Sequence, residues 1–351
     1  MSEPVRTAAS SIPGRAEPVV PRTVDVHAHF FPRISRGQGA MLGSDGPWLR
    51  DDGDGTGYLM SGNAEFRPVE ASLWDPEVRI ARMDGHGIDV QVVSATPLLF
   101  GYLSDPVVAA PWARLVNDLA LEMCAGHPER LRPLCQVPLQ DVERACAEAT
   151  RSVADGHVGV HIGNHVGGRN LDDPEMVRFL HHCAAEAIPV LVHPWDTMAG
   201  ERMPTHMLRW LVGMPAETHL AILSLILSGA FERLPSDLRI CFAHGGGNFA
   251  AQLGRVDNAW RRRDLVRADC PEPPSSYVDR FSVDSAVFSD DALRLLVAVM
   301  GIERVMLGSD APFPLGEEQP GRLVETSTHL SADEKAAVLG GNAEWFFGLS
   351  D

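Results

Sequence analysis

Short apolar runs alternate with longer segments of helical periodicity along most of the chain. Segments such as 174–187 and 219–234 repeat their apolar residues at helical spacing. Eight short runs are strand-like: 23–29, 88–95, 131–137, 157–163, 188–193, 238–244, 280–285 and 304–310. This alternation predicts a parallel sheet, and eight repeats in one α/β chain predict a closed (β/α)8 TIM barrel. A doubly wound open sheet is the alternative.

Two segments depart from this alternation. Residues 30–78 form a long connection after the first run, rich in glycine, aspartate and aromatic residues. A loop of this length in a compact domain is usually functional or disordered, and this one could cap the end of the first strand. Residues 1–22 are rich in proline, serine and alanine. We therefore expect a flexible N-terminal tail over 1–22 and a single barrel domain over 23–351.

The composition limits the partners. Of the 351 residues 47 are acidic and 30 basic, which gives a net charge of −17 and argues against nucleic acid or an anionic membrane as a partner. A small anionic substrate stays possible, because a local pair of arginines can outweigh the global field. The chain shows no apolar run of membrane-spanning length and no signal-peptide pattern. Its six cysteines are scattered without a C-x-x-C, so we expect reduced thiols and a cytoplasmic enzyme.

Candidate ligands stand at the ends of four predicted strands. The first run ends in His27 and His29, which share one face because strand side chains alternate. The fifth ends in His193, the sixth in His244 and the eighth in Asp310. A lone buried histidine is more often structural, but chemistry in such barrels sits at the carboxyl ends of the strands. Four such placements predict a metal site. Imidazoles with one carboxylate suit zinc, with cobalt, iron or manganese as alternatives.

The role of His244 stays open at this point. If three imidazoles and one carboxylate bind the metal, room remains for a water, whose pKa a divalent ion lowers toward neutrality. His244 is then either a further ligand or a general base beside that water, since imidazole titrates near neutral pH. The three glycines that follow His244 allow the backbone to approach the site closely.

This constellation resembles the amidohydrolase superfamily, whose first strand carries His-x-His. Members with two metal ions bridge them with a carboxylated lysine at the end of the fourth strand. Here the fourth run, "HVGVHIG", contains no lysine, and the only lysine of the chain is Lys335. The residue count therefore predicts a single metal ion.

A collinear set of motifs extends the resemblance from residue 23 to residue 349. It includes "HAHFFPRIS", "HPWD", "FAHGGGNFAAQLGRVDNAWRRRD" and "RVMLGSDAPFPLGE". Together they resemble the 2-amino-3-carboxymuconate-6-semialdehyde decarboxylase family, which serves kynurenine (tryptophan) and nitroaromatic breakdown. The resemblance implies a zinc-dependent, non-oxidative decarboxylase that acts on this compound or a closely related carboxylated muconate or aromatic acid.

The resemblance also implies roles for individual residues. Zinc would be held by His27, His29, His193 and Asp310, with His244 as the acid/base. Arg67 and Arg255 would bind substrate carboxylates, which guanidinium grips in a bidentate manner. Arg255 would come from the neighbouring subunit of a homodimer. Aromatic walls or supports are expected at Trp195, Trp210 and Phe313.

Some positions depart from the family pattern, so other functions stay as alternatives. Ala311 stands where the family has a bulkier aromatic residue, which predicts a larger substrate pocket, and His161 replaces an expected polar amide. We expect His161 and His165 to lie outside the ligand set, and Asp284 either to orient a histidine or to cap a helix. The rivals are a γ-resorcylate-type hydroxybenzoate decarboxylase, a metal-dependent hydrolase or hydratase, and a catalytically inactive scaffold.

Overall fold

All eight predicted strands form in the computed structural model, which describes residues 22–349. The predicted tail over 1–22 lies outside the described residues except for Arg22, whose Nε donates to Glu344 Oε1 at 2.9 Å. The strands in chain order are β1 Val24–Phe30, β2 Pro47–Asp51, β3 Thr56–Ser61, β4 Ala64–Glu70, β5 Val90–Ala95, β6 Leu131–Pro133, β7 Cys135–Gln136, β8 Val160–Gly163, β9 His165–Val166, β10 Arg169–Asn170, β11 Val190–His193, β12 Ile240–Phe242, β13 Ser282–Asp284 and β14 Val305–Met306.

The barrel is closed. Its strands run in the order β1-β5-β6 and β14-β13-β12-β11-β8-β7, and every pairing among them is parallel. Strands β6 and β7 are two parts of one strand interrupted at Leu134. The ring closes between β1 and the β14 segment, where Val26 N donates to Leu307 O and Asp310 N donates to His27 O, both at 2.8 Å. The (β/α)8 prediction is therefore confirmed, and the open sheet is wrong.

Helices surround the barrel, and several begin at a recognisable signal. In three of them an aspartate at the N-cap precedes a proline at the first helical position, and the carboxylate accepts from backbone amides of the first turn. The helices of ten residues or more are Pro76–His86, Pro106–Cys124, Val142–Ala154, Pro174–Ala185, Met214–Leu227, Phe249–Arg262 and Asp290–Met300.

Burial explains why the barrel strands read as continuous apolar runs. Every residue of β1, β5, β8 and β11 is buried, because each strand faces helices on one side and the barrel interior on the other. The C-terminal helix Asn342–Phe347 adds Phe346 and Phe347 to a cluster that contains Val24, Val26 and Val92. The core thus fixes the strands whose ends carry the candidate ligands.

The insertion after β1 is an ordered sheet and not the long loop that we expected. Strands β2, β3 and β4 pair antiparallel around the central β3, and a tight turn at Gly62 joins β3 to β4. Gly62 has φ +56, and a Cβ there would lie 2.5 Å from Ser44 O, so the turn requires glycine. In this register Arg67 pairs with Leu59. The sheet delivers both residues to the carboxyl end of the barrel.

The expectation that no apolar run reaches membrane-spanning length needs correction, because one helical stretch of the described chain, Arg209–Leu227, is long and apolar enough by length and composition to cross a membrane. Core helices of soluble proteins pass the same test, and here Ile222, Leu225 and Ile226 are fully buried against the barrel. All six cysteines are free thiols. Burial is the main cause that raises the pKa of each of them.

Candidate metal and substrate site

The predicted ligands meet at the carboxyl end of the barrel. His27 Nε2 lies 3.2 Å from His29 Nε2, and His29 Nε2 lies 3.1 Å from Asp310 Oδ1. One ligand atom each from His27, His193, His244 and Asp310 falls within 4.8 Å of the others. Four side chains from the ends of four strands therefore form one cluster, and His29 adjoins it beside His27 and Asp310. Which of them bind a metal stays a prediction.

The hydrogen bonds of His193 fit a metal site. Its Nδ1 lies 2.7 Å from Pro194 O and donates to that carbonyl, which leaves the lone pair of Nε2 directed toward the cluster. This Nε2 is buried and has no hydrogen-bond partner among the described residues. A buried, unsatisfied nitrogen costs free energy, and a divalent cation in the cluster would remove that cost. The donor set therefore suits zinc or a similar ion.

Asp284, at the end of β13, forms hydrogen bonds that hold two of the candidate site residues, His27 and His244, in position. Its Oδ2 lies 2.6 Å from His27 Nδ1, which donates to it, so Nε2 of the same ring faces the cluster. The carboxylate also accepts from the backbone amides of His244 and Gly245 at 2.9 and 2.8 Å. Of the two expected roles, the structure shows the orientation of a histidine. Partners of this kind fix ligand orientation and raise ligand basicity.

Burial and neighbouring charges set the protonation states. Burial lowers the pKa of His27, but the hydrogen bond and charge of Asp284 outweigh it and raise the pKa to about 9. Burial raises the pKa of Asp310, but hydrogen bonds from His244 and His29 outweigh it and hold the pKa well below its usual value. For His29 and His193 burial is the largest cause, and the pKa of each is lowered. Asp310 is thus a carboxylate and the latter two are neutral imidazoles, the forms that bind metals, whereas His27 must lose its Nε2 proton before it can bind one.

Two site residues have strained backbones. His244 has φ 56 and Asp310 has φ 58, the left-handed region that costs a residue other than glycine on the order of 1–3 kcal/mol. His244 Nε2 lies 3.6 Å from Asp310 Oδ2, while Nδ1 has no partner among the described residues. The following turn requires glycine at Gly247, where a Cβ would lie 2.3 Å from Pro215 O. The left-handed conformation places the His244 side chain at the cluster. This position suits a metal ligand as well as a general base.

A cavity of about 480 Å³ opens in front of the ligands. His29, His193, His244 and Asp310 contribute to it. Most of the remaining wall is apolar and comes from distant parts of the chain: Leu59, Phe66, Pro97, Leu98, Trp195, Met207, Trp210, Met214, Phe313 and Leu315. The three aromatic residues named from the sequence, Trp195, Trp210 and Phe313, thus line this cavity, and their role in substrate binding stays a prediction. The two methionines were not predicted, because no motif marks them.

Arg67 is the only arginine or lysine among the described residues that line this cavity. Its guanidinium carbon lies 5.0 Å from the ring centre of Phe313 and 5.5 Å from that of Trp210, within the range of a cation–π interaction. Burial lowers the pKa of Arg67, and the charge of Asp310 acts in the opposite direction. A partly desolvated guanidinium between aromatic rings is well suited to bind a carboxylate.

Other predicted residues lie elsewhere. Arg255 is exposed on the helix Phe249–Arg262 and does not line the cavity of its own chain. Ala311 lines a separate small cavity and is not among the residues that line the large one, so its effect on the substrate pocket stays a prediction. His161 is buried, its ring centre lies 5.6 Å from that of His193, and neither ring nitrogen has a partner among the described residues. Lys335 is remote, and its Nζ donates to Glu325 O at 2.9 Å.

Sequence reasoning missed the residues that hold the loop after β11. Asn164 Oδ1 accepts from Trp195 N at 3.3 Å, and Asn164 Nδ2 donates to Glu217 Oε2 at 3.1 Å. The buried Glu217 also accepts from the amide of Met198. The sequence did contain a signal for this contact, because Glu217 is a glutamate inside an apolar helical segment. His165 contributes its carbonyl, which accepts from Trp195 Nε1 at 2.7 Å, and its ring centre lies 5.3 Å from that of Trp195.

Comparisons with known proteins agree with this geometry. The model of the amidohydrolase family Amidohydro_2 matches residues 24–349. A 2-amino-3-carboxymuconate-6-semialdehyde decarboxylase of Dictyostelium discoideum is 39% identical over 93% of this chain and 91% of its own length. One of Caenorhabditis elegans is 33% identical, over 92% of this chain and 93% of its own length.

Solved structures share the fold. The IDCase of Metarhizium anisopliae has a TM-score of 0.81 at 24% identity, over 94% of this chain and 98% of its own. A dihydroxybenzoic acid decarboxylase of Polaromonas sp. JS666, solved with manganese and 2-nitroresorcinol, has a TM-score of 0.76 at 22% identity, over 93% and 97%. At these identities the likeness shows the barrel architecture alone.

Proposed function

The chain belongs to the amidohydrolase family, and from this premise we propose that it is a metal-dependent, non-oxidative decarboxylase. Its substrate on this proposal is 2-amino-3-carboxymuconate 6-semialdehyde or a closely related carboxylated muconate or aromatic acid. One observation carries the proposal: a cluster of four ligand-type side chains, with His29 beside it, lies at one end of an apolar cavity that holds the guanidinium of Arg67. We further propose a cytoplasmic location in tryptophan catabolism, which the free thiols suit.

We propose zinc as the physiological metal, held by His27, His29, His193 and Asp310. Three imidazoles and a carboxylate form a zinc-type ligand set. Manganese, cobalt or iron could occupy the same site, and a fold neighbour was solved with manganese. When bound, the divalent cation supplies Lewis acidity that polarises the substrate and activates water.

The arginines bind the carboxylates of the substrate. Arg67 takes one of them at the aromatic end of the cavity, where water is partly excluded and a charge-assisted hydrogen bond is strong. On the family resemblance we assign the second carboxylate to Arg255 of a neighbouring subunit, and the exposure of Arg255 outside the cavity of its own chain is compatible with this. This assignment implies a homodimer with shared sites.

His244 is the acid/base in this proposal. It lines the cavity, and its side chain keeps 17% of its surface exposed, so it can reach a substrate. In its protonated form it donates one proton to the carbon from which carbon dioxide leaves, and it regains that proton from solvent. The carbon–carboxylate bond breaks, the electron pair stays on carbon, and one proton is gained. No oxidant or organic cofactor is needed.

The test is a His244→Ala variant assayed for carbon dioxide release and for the near-ultraviolet absorbance of freshly made aminocarboxymuconate semialdehyde. We expect turnover to fall about 10²–10⁴-fold, as loss of an acid/base group does, with metal content near one ion per chain. His181→Ala, an exposed histidine on the helix Pro174–Ala185, is the control. Near-normal turnover by His244→Ala would refute the acid/base role of His244. Absence of turnover by the wild type would refute the proposed substrate.

A hydroxybenzoate of the γ-resorcylate type is the second candidate substrate. It is favoured by the aromatic walls of the cavity. Headspace carbon dioxide from a panel of both substrate types separates the two. A hydrolase or hydratase would consume amides, lactones or double bonds in that panel without releasing carbon dioxide, and an inactive scaffold would retain no stoichiometric metal.

A further inference from the structure

The indole of Trp195, which lines the large cavity, packs closely against its neighbours. Its Nε1 donates to His165 O at 2.7 Å, and its ring meets that of Tyr102 edge to face, with the ring centres 5.4 Å apart. A Cβ at position 163 would lie 2.5 Å from Trp195 Cδ1, so Gly163 leaves the space that the indole fills. Because the fit is this close, the position of the indole depends on the backbone that carries it.

One asparagine connects the backbone at Trp195 to a buried glutamate. Trp195 N donates to Asn164 Oδ1 at 3.3 Å, and Asn164 Nδ2 donates to Glu217 Oε2 at 3.1 Å. The other carboxylate oxygen of Glu217, Oε1, accepts from Met198 N. Asn164 is 2% exposed and Glu217 is 5% exposed. Both ends of the segment 195–198 are therefore tied to one buried carboxylate.

The donors that surround Glu217 distinguish it from glutamine. A backbone N–H can only donate, so Trp195 N must meet the amide oxygen of Asn164, and the amide nitrogen of Asn164 must then face Glu217. Met198 N is a second donor to the same side chain. A glutamine here would place its own amide hydrogens opposite one of these two donors and leave a buried N–H without a partner. The position therefore requires two accepting oxygens, which a carboxylate supplies.

We propose that Glu217 is a positioning residue of the substrate site, an inference that rests on the proposed function. Through Asn164 and Met198 it fixes the segment 195–198 and so holds the indole of Trp195 as a rigid wall against the bound substrate. Glu217 itself is not among the residues that line the cavity. His193 is held separately, by the pairing of β11 with β8 and by the carbonyl of Pro194, so the metal site does not depend on Glu217.

The first experiment needs no substrate and follows acrylamide quenching of Trp195 fluorescence in the metal-loaded enzyme. The chain has seven tryptophans, so the signal of Trp195 is the difference between each protein and the same protein carrying Trp195→Phe. In Glu217→Gln we expect the quenching constant of Trp195 to rise about twofold, because an unpaired buried N–H favours local opening of the segment.

A double variant, Asn164→Asp with Glu217→Gln, should restore the wild-type quenching. The new amide nitrogen donates to the new carboxylate, which still accepts from Trp195 N, and the new amide oxygen accepts from Met198 N. Every hydrogen bond of the connection is thus kept, with one of them reversed in direction. If Glu217→Gln alone does not fold, the double variant still decides, since the proposal requires it to fold with wild-type quenching.

The second experiment measures steady-state decarboxylation. In Glu217→Gln we expect KM to rise about tenfold with kcat within about twofold, because the wall contributes to binding and takes no part in proton transfer. The double variant should return KM to the wild-type value, and metal content should stay near one ion per chain. Glu148→Gln is the matched control, because Glu148 accepts from Asn117 Nδ2 at 2.8 Å in a similar pair outside the cavity. It should leave KM and Trp195 quenching unchanged.

Unchanged Trp195 quenching in Glu217→Gln would overturn the proposal, whatever the substrate is. So would loss of bound metal in that variant, an equal rise of KM in Glu148→Gln, or a double variant that keeps the defects of Glu217→Gln. A wild type that releases no carbon dioxide from any acid tested would refute the proposed function instead. The two failures are distinguishable because the quenching experiment contains no substrate.

Discussion

At the scale of single residues, Asp284 links two parts of the proposed chemistry. It orients the ring of His27 and also holds the backbone of His244 in its left-handed conformation. Burial raises the pKa of Asp284, but the hydrogen bond and charge of His27 outweigh it and lower the pKa, so the group is ionised. One buried carboxylate therefore supports both a ligand and the acid/base.

Replacing Asp284 with asparagine keeps the shape and removes the charge. We expect metal affinity to fall about 10–100-fold, the usual cost of losing such a partner of a ligand histidine. Competition with a chelator measures the affinity. Asp257→Asn is the matched control, because Asp257 is also hydrogen-bonded, to Ser275 N at 3.0 Å, but is remote from the site. Equal affinities of the two variants would show that His27 needs no orienting charge.

Arg67 gives a prediction about substrate binding. In Arg67→Met the guanidinium is lost and the apolar bulk is largely kept, so we expect kcat/KM to fall about 10–100-fold through the missing charge-assisted hydrogen bonds. Arg67→Lys should recover only part of this, because lysine lacks the bidentate fork. Steady-state kinetics measure both. Arg50→Met is the control, because Arg50 lies in the same inserted sheet but pairs with Asp52 and Glu65 outside the cavity. A loss of similar size in Arg50→Met would refute the assignment of Arg67.

At the scale of elements, the turn between the helix Val142–Ala154 and β8 carries a buried histidine. Burial, the largest cause, lowers the pKa of His157 to about 4, although the carbonyl of Ser152 accepts from its Nδ1 at 3.0 Å. The folded state thus binds this proton less readily than the unfolded state, whose pKa is near 6.5. Stability from this residue is complete above pH 6.5 and is lost as the pH falls toward 4.

We therefore expect His157→Gln to lose less stability than the wild type on acidification. Between pH 7 and pH 5 the neutral histidine accounts for a loss of about 2 kcal/mol in the free energy of unfolding, which glutamine cannot show. Urea unfolding at the two pH values measures the difference. His181→Gln, at an exposed position, should keep the wild-type pH dependence. Parallel pH curves for His157→Gln and the wild type would contradict the prediction.

The burial of individual strands explains how much of the fold and the site the sequence could predict. Barrel strands such as β1 are buried on both faces, so they appear as unbroken apolar runs whose last residues are the candidate ligands. Strand β4 is mostly exposed and contains proline, so its pattern does not distinguish a strand from a loop. Cavity walls such as Met207 and Met214 depend on how loops fold over the barrel end, which local periodicity does not encode.

At the scale of the whole molecule, the surface near the cavity mouth carries exposed apolar side chains. Phe66 and Met207 line the mouth and are 51% and 46% exposed, and Leu211 and Val212 on the neighbouring helical segment are 57% and 53% exposed. Apolar groups clustered in this way often mark a protein interface. The cluster is consistent with the proposed homodimer, in which a second subunit covers the mouth and supplies Arg255.

Shared sites make a prediction that separate sites do not. Mixing Arg255→Ala with His244→Ala subunits gives hybrid dimers in which the first subunit keeps His244 and receives Arg255 from the second. Random exchange makes half of the dimers hybrid, each with one complete site, so we expect about one quarter of wild-type activity from two nearly inactive parents. Decarboxylase activity before and after mixing measures the recovery, and mass spectrometry of differently tagged subunits measures the exchange. If hybrids form and activity stays at the parental level, Arg255 does not act across the interface, and the second substrate carboxylate must be bound by another group.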